Sequence, residues 1–155
     1  MTASDDHVLG PGLLPTPFTA AQIRDASRSG KEIRMLVEQA DGTSSERLNR
    51  FHGADDEGAT LDQWNADTPA EVSSRRVSWN ELQEHAAFPI DSTTSSRETV
   101  DLPLGRLECL RYDTTGGQET ATFWLSPAHP GMPVRYEFRT DAGTMRTTVL
   151  DIRVP

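Results

Sequence analysis

LPLGRLECLRYDTTGGQETATFWLSPAHPGMPVRYEF, residues Leu102 to Phe138, decides the class of architecture. Val134, Tyr136 and Phe138 alternate with Arg135, Glu137 and Arg139, the period of a strand with one buried and one wet face. Thr120, Thr122 and Trp124 interleave with Ala121, Phe123 and Leu125, so this strand ends apolar on both faces and belongs in the interior of a sheet. Between the two lies Ser126 to Pro133, where Pro130-Gly131 suits the central positions of a type II turn. Upstream, Leu107 to Tyr112 is a strand entered through Gly105, and Thr114-Thr115-Gly116-Gly117 closes a hairpin.

Working outward toward the N-terminus, Gly10-Pro11-Gly12, Pro15 and the lack of periodicity mark residues 1–15 as a flexible arm, with one β-rich domain over 16–155. Thr19-Ala20-Ala21-Gln22 fits a capping box, Phe18 and Ile23 fit a hydrophobic staple and Gly30 fits the stop, which predicts a helix over Ala20 to Ser29. Ile33, Met35 and Val37 alternate with Arg34, Leu36 and Glu38, and Asp41-Gly42 turns the chain into a returning strand over Ser45 to Phe51. Ala59 to Trp64 completes a meander, and Ser73 to Trp79 adds a strand. Ser78-Trp79-Asn80-Glu81 repeats the capping signal for a second helix that ends before Pro89. Thr93 to Leu102 reads as an outer strand, and in the last strand Thr148, Leu150, Ile152 and Val154 are expected on one face. The sum is an α+β, mainly β fold: a single large curved antiparallel sheet, a half-barrel, with two short helices packed on its concave face.

Composition bounds the function. The 155 residues suffice for one core without staples. A net charge of −9 argues against nucleic acid or an anionic membrane surface, since an acidic protein gains nothing from counterion release. No stretch approaches the ~20 apolar residues of a membrane span. Lys31 is the only lysine among 15 basic residues, a bias read as genomic composition. The lone Cys109 excludes an internal disulfide, and residues 1–10 lack the basic and apolar regions of a secretory signal, from which a cytoplasmic address is expected.

The chain is poor in catalytic patterns. His7, His52, His85 and His129 lack metal-ligand spacing, so no metal is expected. Cys109 sits mid-strand, away from any helix N-terminus that would activate a thiol, and reads as a small core residue. There is no nucleophile elbow, phosphate-cradling loop or dinucleotide fingerprint, so no cofactor and no catalytic residue is assigned. The aromatic residues are the remaining signal. Trp64, Trp79 and Trp124 are large amphipathic rings in a chain with 6% aromatics, and on a curved sheet some of them line a cavity with Tyr136, Phe138 and Met35.

Leu104-Gly105-Arg106-Leu107-Glu108-Cys109, Phe123-Trp124-Leu125 and Pro130-Gly131-Met132-Pro133-Val134-Arg135-Tyr136-Glu137 together resemble a group of uncharacterised bacterial proteins. In that group a Gly-x-Leu/Phe-Glu/Asp-Cys strand precedes an aromatic strand and a Pro-Gly-Met-Pro-Val turn. The helix starts at Pro17 to Arg24 and Trp79 to Ala86 also fit, so the resemblance covers most of residues 15 to 152 and brings no activity with it. The long meander with a mid-chain helix is similar, more distantly, to the lipoprotein-carrier type of fold, an open half-barrel whose helices plug an apolar concave side.

These readings lead to a non-enzymatic domain that binds a small apolar or amphipathic ligand on the concave face. Trp79, Trp124 and Tyr136 are expected to supply contact area, and Arg135 to meet an acidic head group. The alternative is an interaction or scaffold module, including a homodimer, that uses a sheet edge or the outer face. An enzyme using Cys109 or a histidine ranks third.

Overall fold

The computed structural model describes residues 6–155. Nine strands form one open antiparallel sheet in the order β4-β3-β2-β1-β9-β8-β7-β6-β5. The first four are β1 (Glu32–Glu38), β2 (Ser44–His52), β3 (Gly58–Asn65) and β4 (Ser73–Ser78). The remaining five are β5 (Thr93–Leu102), β6 (Gly105–Gly116), β7 (Glu119–Leu125), β8 (Arg135–Thr140) and β9 (Gly143–Arg153). Two meanders are therefore joined by the pairing of β1 with β9, one strand from each end of the domain.

Both helices begin where capping signals predict. In α1 (Ala20–Ala26) the Thr19 hydroxyl accepts from the Gln22 amide at 3.2 Å, and the Gln22 side chain accepts from the Thr19 amide at 2.9 Å. In α2 (Trp79–Glu84) Ser78 Oγ accepts from the Glu81 amide, but the Glu81 carboxylate turns outward to Arg75 and leaves the box half made. Gln83, 3% exposed, ties the helices together. Its Oε1 accepts from the Ala20 amide at 2.9 Å, while its Nε2 donates to the Asp6 carbonyl and to Thr16 Oγ1.

Residues 6–15 of the segment read as an arm follow a hydrogen-bonded path into the domain. The Thr16 amide donates to the His7 carbonyl, and Leu13 bridges Pro89 between bonds joining Leu14 to Phe88 and Ile90 to Gly12. Residues 1–5 of that reading lie outside the described residues.

Strand parity sorts the side chains. The inward face carries Ile33 and Met35 of β1, Phe51 of β2, Leu61 of β3, Tyr112 of β6 and Leu125 of β7, which form the main core with Ile23, Trp79 and Phe88. A smaller cluster of Val100, Leu102, Cys109, Trp124 and Val134 covers part of the outer face. In β9 the expected parity fails. Register shifts at β1, so that Ile33 opposes Ile152 while Met35 opposes Val149, and Leu150 is skipped. This bulge brings Val149 and Ile152 to the same inward face and breaks the run of Thr148, Leu150 and Ile152.

Candidate ligand-binding cavity

A cavity of about 360 Å³ lies between the helices and the inward face of the sheet. Its walls include Arg75 of β4 and Phe123 of β7, six steps apart in strand order, a flat distance of about 29 Å at normal strand spacing. Only strong curvature brings such residues around one small cavity, so the inward face is concave.

One wall is aromatic. Phe123 stacks on Tyr136 at 6.1 Å between centroids, meets Phe138 edge-on at 5.8 Å, and lies 5.0 Å from Phe88. Tyr136 and Phe138 reach this wall because alternation along β8 sends Arg135, Glu137 and Arg139 to the other face. Ile23, Ile33, Phe51, Leu61, Leu125 and Met132 continue the apolar lining.

The polar lining is unusual in its charge. Lys31, Arg47 and Arg75 border the cavity with Ser27, Asn49, Gln63 and His85, and no aspartate or glutamate is among the lining residues. Arg75 is neutralised by Glu81 at 3.0 Å, and Gln63 Nε2 donates to Asn49 Oδ1 at 3.1 Å. Arg47 is different. Its Nη2 donates to the Tyr136 hydroxyl at 3.2 Å, while its buried Nε has no hydrogen-bond partner among the described residues. Lys31 is 4% exposed, and burial alone pulls its ammonium down to about 8. His129, in the adjoining loop, titrates below its ordinary range because it is partly buried and feels the Lys31 charge.

The four residues expected to form a site are thus divided. Tyr136 lines the cavity. Trp79 is buried in the core against Phe51 and donates its indole N–H to the Asp55 carbonyl at 2.8 Å, bordering a shallow groove between the helices and not the cavity. Trp124 and Arg135 oppose each other across β7 and β8 on the outer face. There the Trp124 ring lies between the Arg111 and Arg135 guanidinium groups, at 5.3 and 5.8 Å.

Other outer-face arginines are also engaged: Arg111 with Glu98 and Asp113, and Arg139 and Arg146 with Glu137. Cys109 is buried, and burial raises its thiol further above the range in which it reacts. Lys31 and Arg47 went unnoticed in the sequence, yet parity marks both: Lys31 precedes Ile33 and Met35 by two and four residues, and Arg47 precedes Phe51 by four.

Solved structures share this architecture. MucB superposes with a TM-score of 0.59 at 10% identity, over 84% of this chain and 55% of the MucB chain. MucB in its complex with MucA from Pseudomonas aeruginosa gives 0.57 at 11% identity, over 84% and 54%. This chain therefore spans about half the length of those MucB chains. A distant likeness extends to a LolA superfamily protein from Nitrosomonas europaea, with a TM-score of 0.24 at 10% identity over 89% of this chain and 94% of that one, an overlap too loose to carry an argument.

No protein-family model and no curated protein matches the chain, so the resemblance through Gly105 to Cys109 and Pro130 to Glu137 gains no support from sequence comparison. The expected cytoplasmic address does not stand: the fold is shared with MucB, which is solved in complex with a periplasmic segment of MucA.

Proposed function

We propose that the protein binds a small apolar or amphipathic molecule in the concave cavity and performs no chemistry on it. The observation that carries this reading is the cavity itself, about 360 Å³ and walled by Phe88, Phe123, Tyr136 and Phe138. That volume falls within the ~300–1,000 Å³ typical of small-molecule sites, and apolar walls with few polar groups are their usual chemistry. Tyr136 supplies a contact, and Trp79 serves as a reporter through Phe51, which it touches from behind.

Calorimetric titration with medium-chain fatty acids, alcohols and isoprenoids tests the proposal. Saturable one-to-one binding is expected, and Ala86→Trp, which fills the cavity from the helix side, abolishes it. If no ligand class binds, the reading falls.

A second reading, a protein-interaction module, rests on the open sheet. β5, ten residues long, is an edge strand paired only with β6, and residues 94–97 on it are exposed, the geometry used in strand addition. Sedimentation velocity tests the homodimer form of it, and a monomer at high concentration removes that form.

A further inference from the structure

We propose that the occupant of the cavity is an amphiphile with an anionic head group, carboxylate or phosphate, held by Lys31 at the end where Ser27 and Gly131 close the cavity. The proposal rests on the reading of the cavity as a ligand site and specifies which ligands it takes.

The argument begins with the cost of charge. A buried ammonium is destabilising unless a partner or water offsets its lost hydration. Lys31 is 4% exposed, yet no ion pair or side-chain hydrogen bond engages it among the described residues. On the outer face the guanidinium groups of Arg111, Arg139 and Arg146 have carboxylates beside them, while Arg135 lies over the Trp124 ring with its buried Nε unpartnered. In a chain with 24 acidic and 15 basic residues, a cavity lined by Lys31 and Arg47 without a carboxylate, and by Arg75 paired with Glu81, is more cationic than composition alone places there.

The surroundings of Lys31 suit a monovalent or divalent oxyanion. Gly131 has φ +135°, a backbone that favours glycine, and a Cβ there would stand 3.8 Å from Lys31 Nζ and 4.0 Å from Ser27 Oγ. An ammonium and a hydroxyl therefore converge on a side-chain-free patch of backbone beside the apolar wall. Arg47 adds a second cation with no carboxylate partner, its Nε unpartnered, so two cations without counter-charge border the cavity. The tail of the ligand lies against Phe123 and Phe138, and the head group replaces the missing counter-charge.

Calorimetric titration of the full chain at pH 7 with dodecanoate, dodecyl phosphate, dodecanol, dodecyltrimethylammonium and inorganic phosphate tests this. The two anionic amphiphiles are expected to bind at least about tenfold more tightly than dodecanol, the worth of one charge-assisted contact, and the cationic amphiphile not at all. Lys31→Met removes the anions' advantage over dodecanol, and Lys31→Gln checks that result in a polar side chain.

Dodecanol binding as tightly as dodecanoate overturns the head-group assignment and leaves the cavity reading standing. Inorganic phosphate binding as tightly as dodecyl phosphate overturns the amphiphile in favour of a free anion. Silence from every probe removes the cavity reading and this proposal together. Because the head-group series uses the unmutated protein, a poorly folding variant cannot rescue the proposal.

Discussion

Arg47 on β2 and Tyr136 on β8 meet at 3.2 Å, although β1 and β9 lie between their strands. Three strand spacings amount to about 14 Å on a flat sheet, a span that two long side chains cover together across Met35 and Thr147. Such a cross-sheet brace holds the curvature that makes the cavity. In a double-mutant cycle with Arg47→Met and Tyr136→Phe, a coupling of about 0.5–1.5 kcal/mol is expected in urea denaturation. Strict additivity would show that the contact braces nothing.

Lys31 makes stability depend on pH with a definite sign. Its ordinary value of 10.5 falls to about 8 in the folded protein. The folded state therefore releases this proton before the unfolded state does, and stability rises with pH between about 8 and 10.5. The desolvation cost, up to about 3 kcal/mol, is fully present at pH 7. Around the same cavity stand Arg47, Arg75, His85 and Tyr136, with His129 in the adjoining loop. Subtracting the profile of Lys31→Met isolates the lysine. The variant is expected to be more stable than the parent at pH 7 without ligand, with the difference vanishing above pH 10.5.

Buried Gln83 bonds three groups of the N-terminal segment, buried Thr16 Oγ1 and the part-buried Ala20 amide and Asp6 carbonyl. Gln83→Ala leaves all three without this partner. A loss of about 2–3 kcal/mol is expected in chemical denaturation, with residues 6–16 exchanging amide hydrogens faster than the sheet.

Gly58 lets β4 approach β3 and turn into α2. A Cβ at this position would stand only 2.0 Å from the Val77 carbonyl oxygen, an approach no side chain survives. The Trp79 amide also donates to Glu57 O at 3.0 Å, so displacing Gly58 disturbs the start of the helix. Gly58→Ala is expected to cost about 2 kcal/mol or more, measured by thermal unfolding.

Trp124 separates stability from binding. It fills the outer cluster with Cys109 and Val134, on the opposite side of the sheet from the cavity. Trp124→Leu is expected to lower stability by about 1–3 kcal/mol and to leave dodecanoate affinity unchanged. A large loss of affinity with an intact fold would move the binding surface to the outer face.

Local rules account for much of the architecture. Thr19 and Ser78 announce their helices through short-range hydrogen bonds, and the alternation of Tyr136 and Phe138 with Arg135 and Arg139 is local to its strand, whereas Val134, expected on the face of Tyr136, packs in the outer cluster and Glu137, expected wet, is buried. The bulge at Leu150 escaped because it arises from pairing with Arg34 and Met35, more than a hundred residues away in the chain. The site was less legible. Tyr136 is legible because alternation along its strand puts it on one face with Phe138, away from Arg135 and Arg139. Trp124 and Arg135 were grouped with it on chemistry, although adjacent residues of one strand point to opposite faces, as Arg135 and Tyr136 do.

What the order of residues determined alone is therefore periodic and local: two capped helices, an antiparallel mainly β sheet, and the turns between strands. Tertiary structure alone decided which face closed on itself, because curvature depends on how nine strands twist and pair together. It also turned the only lysine from a matter of composition into a buried charge. Parity aims Lys31 inward, but only the packing of α1, the β7–β8 loop and the sheet around it buries the residue beside the cavity and brings no carboxylate to it.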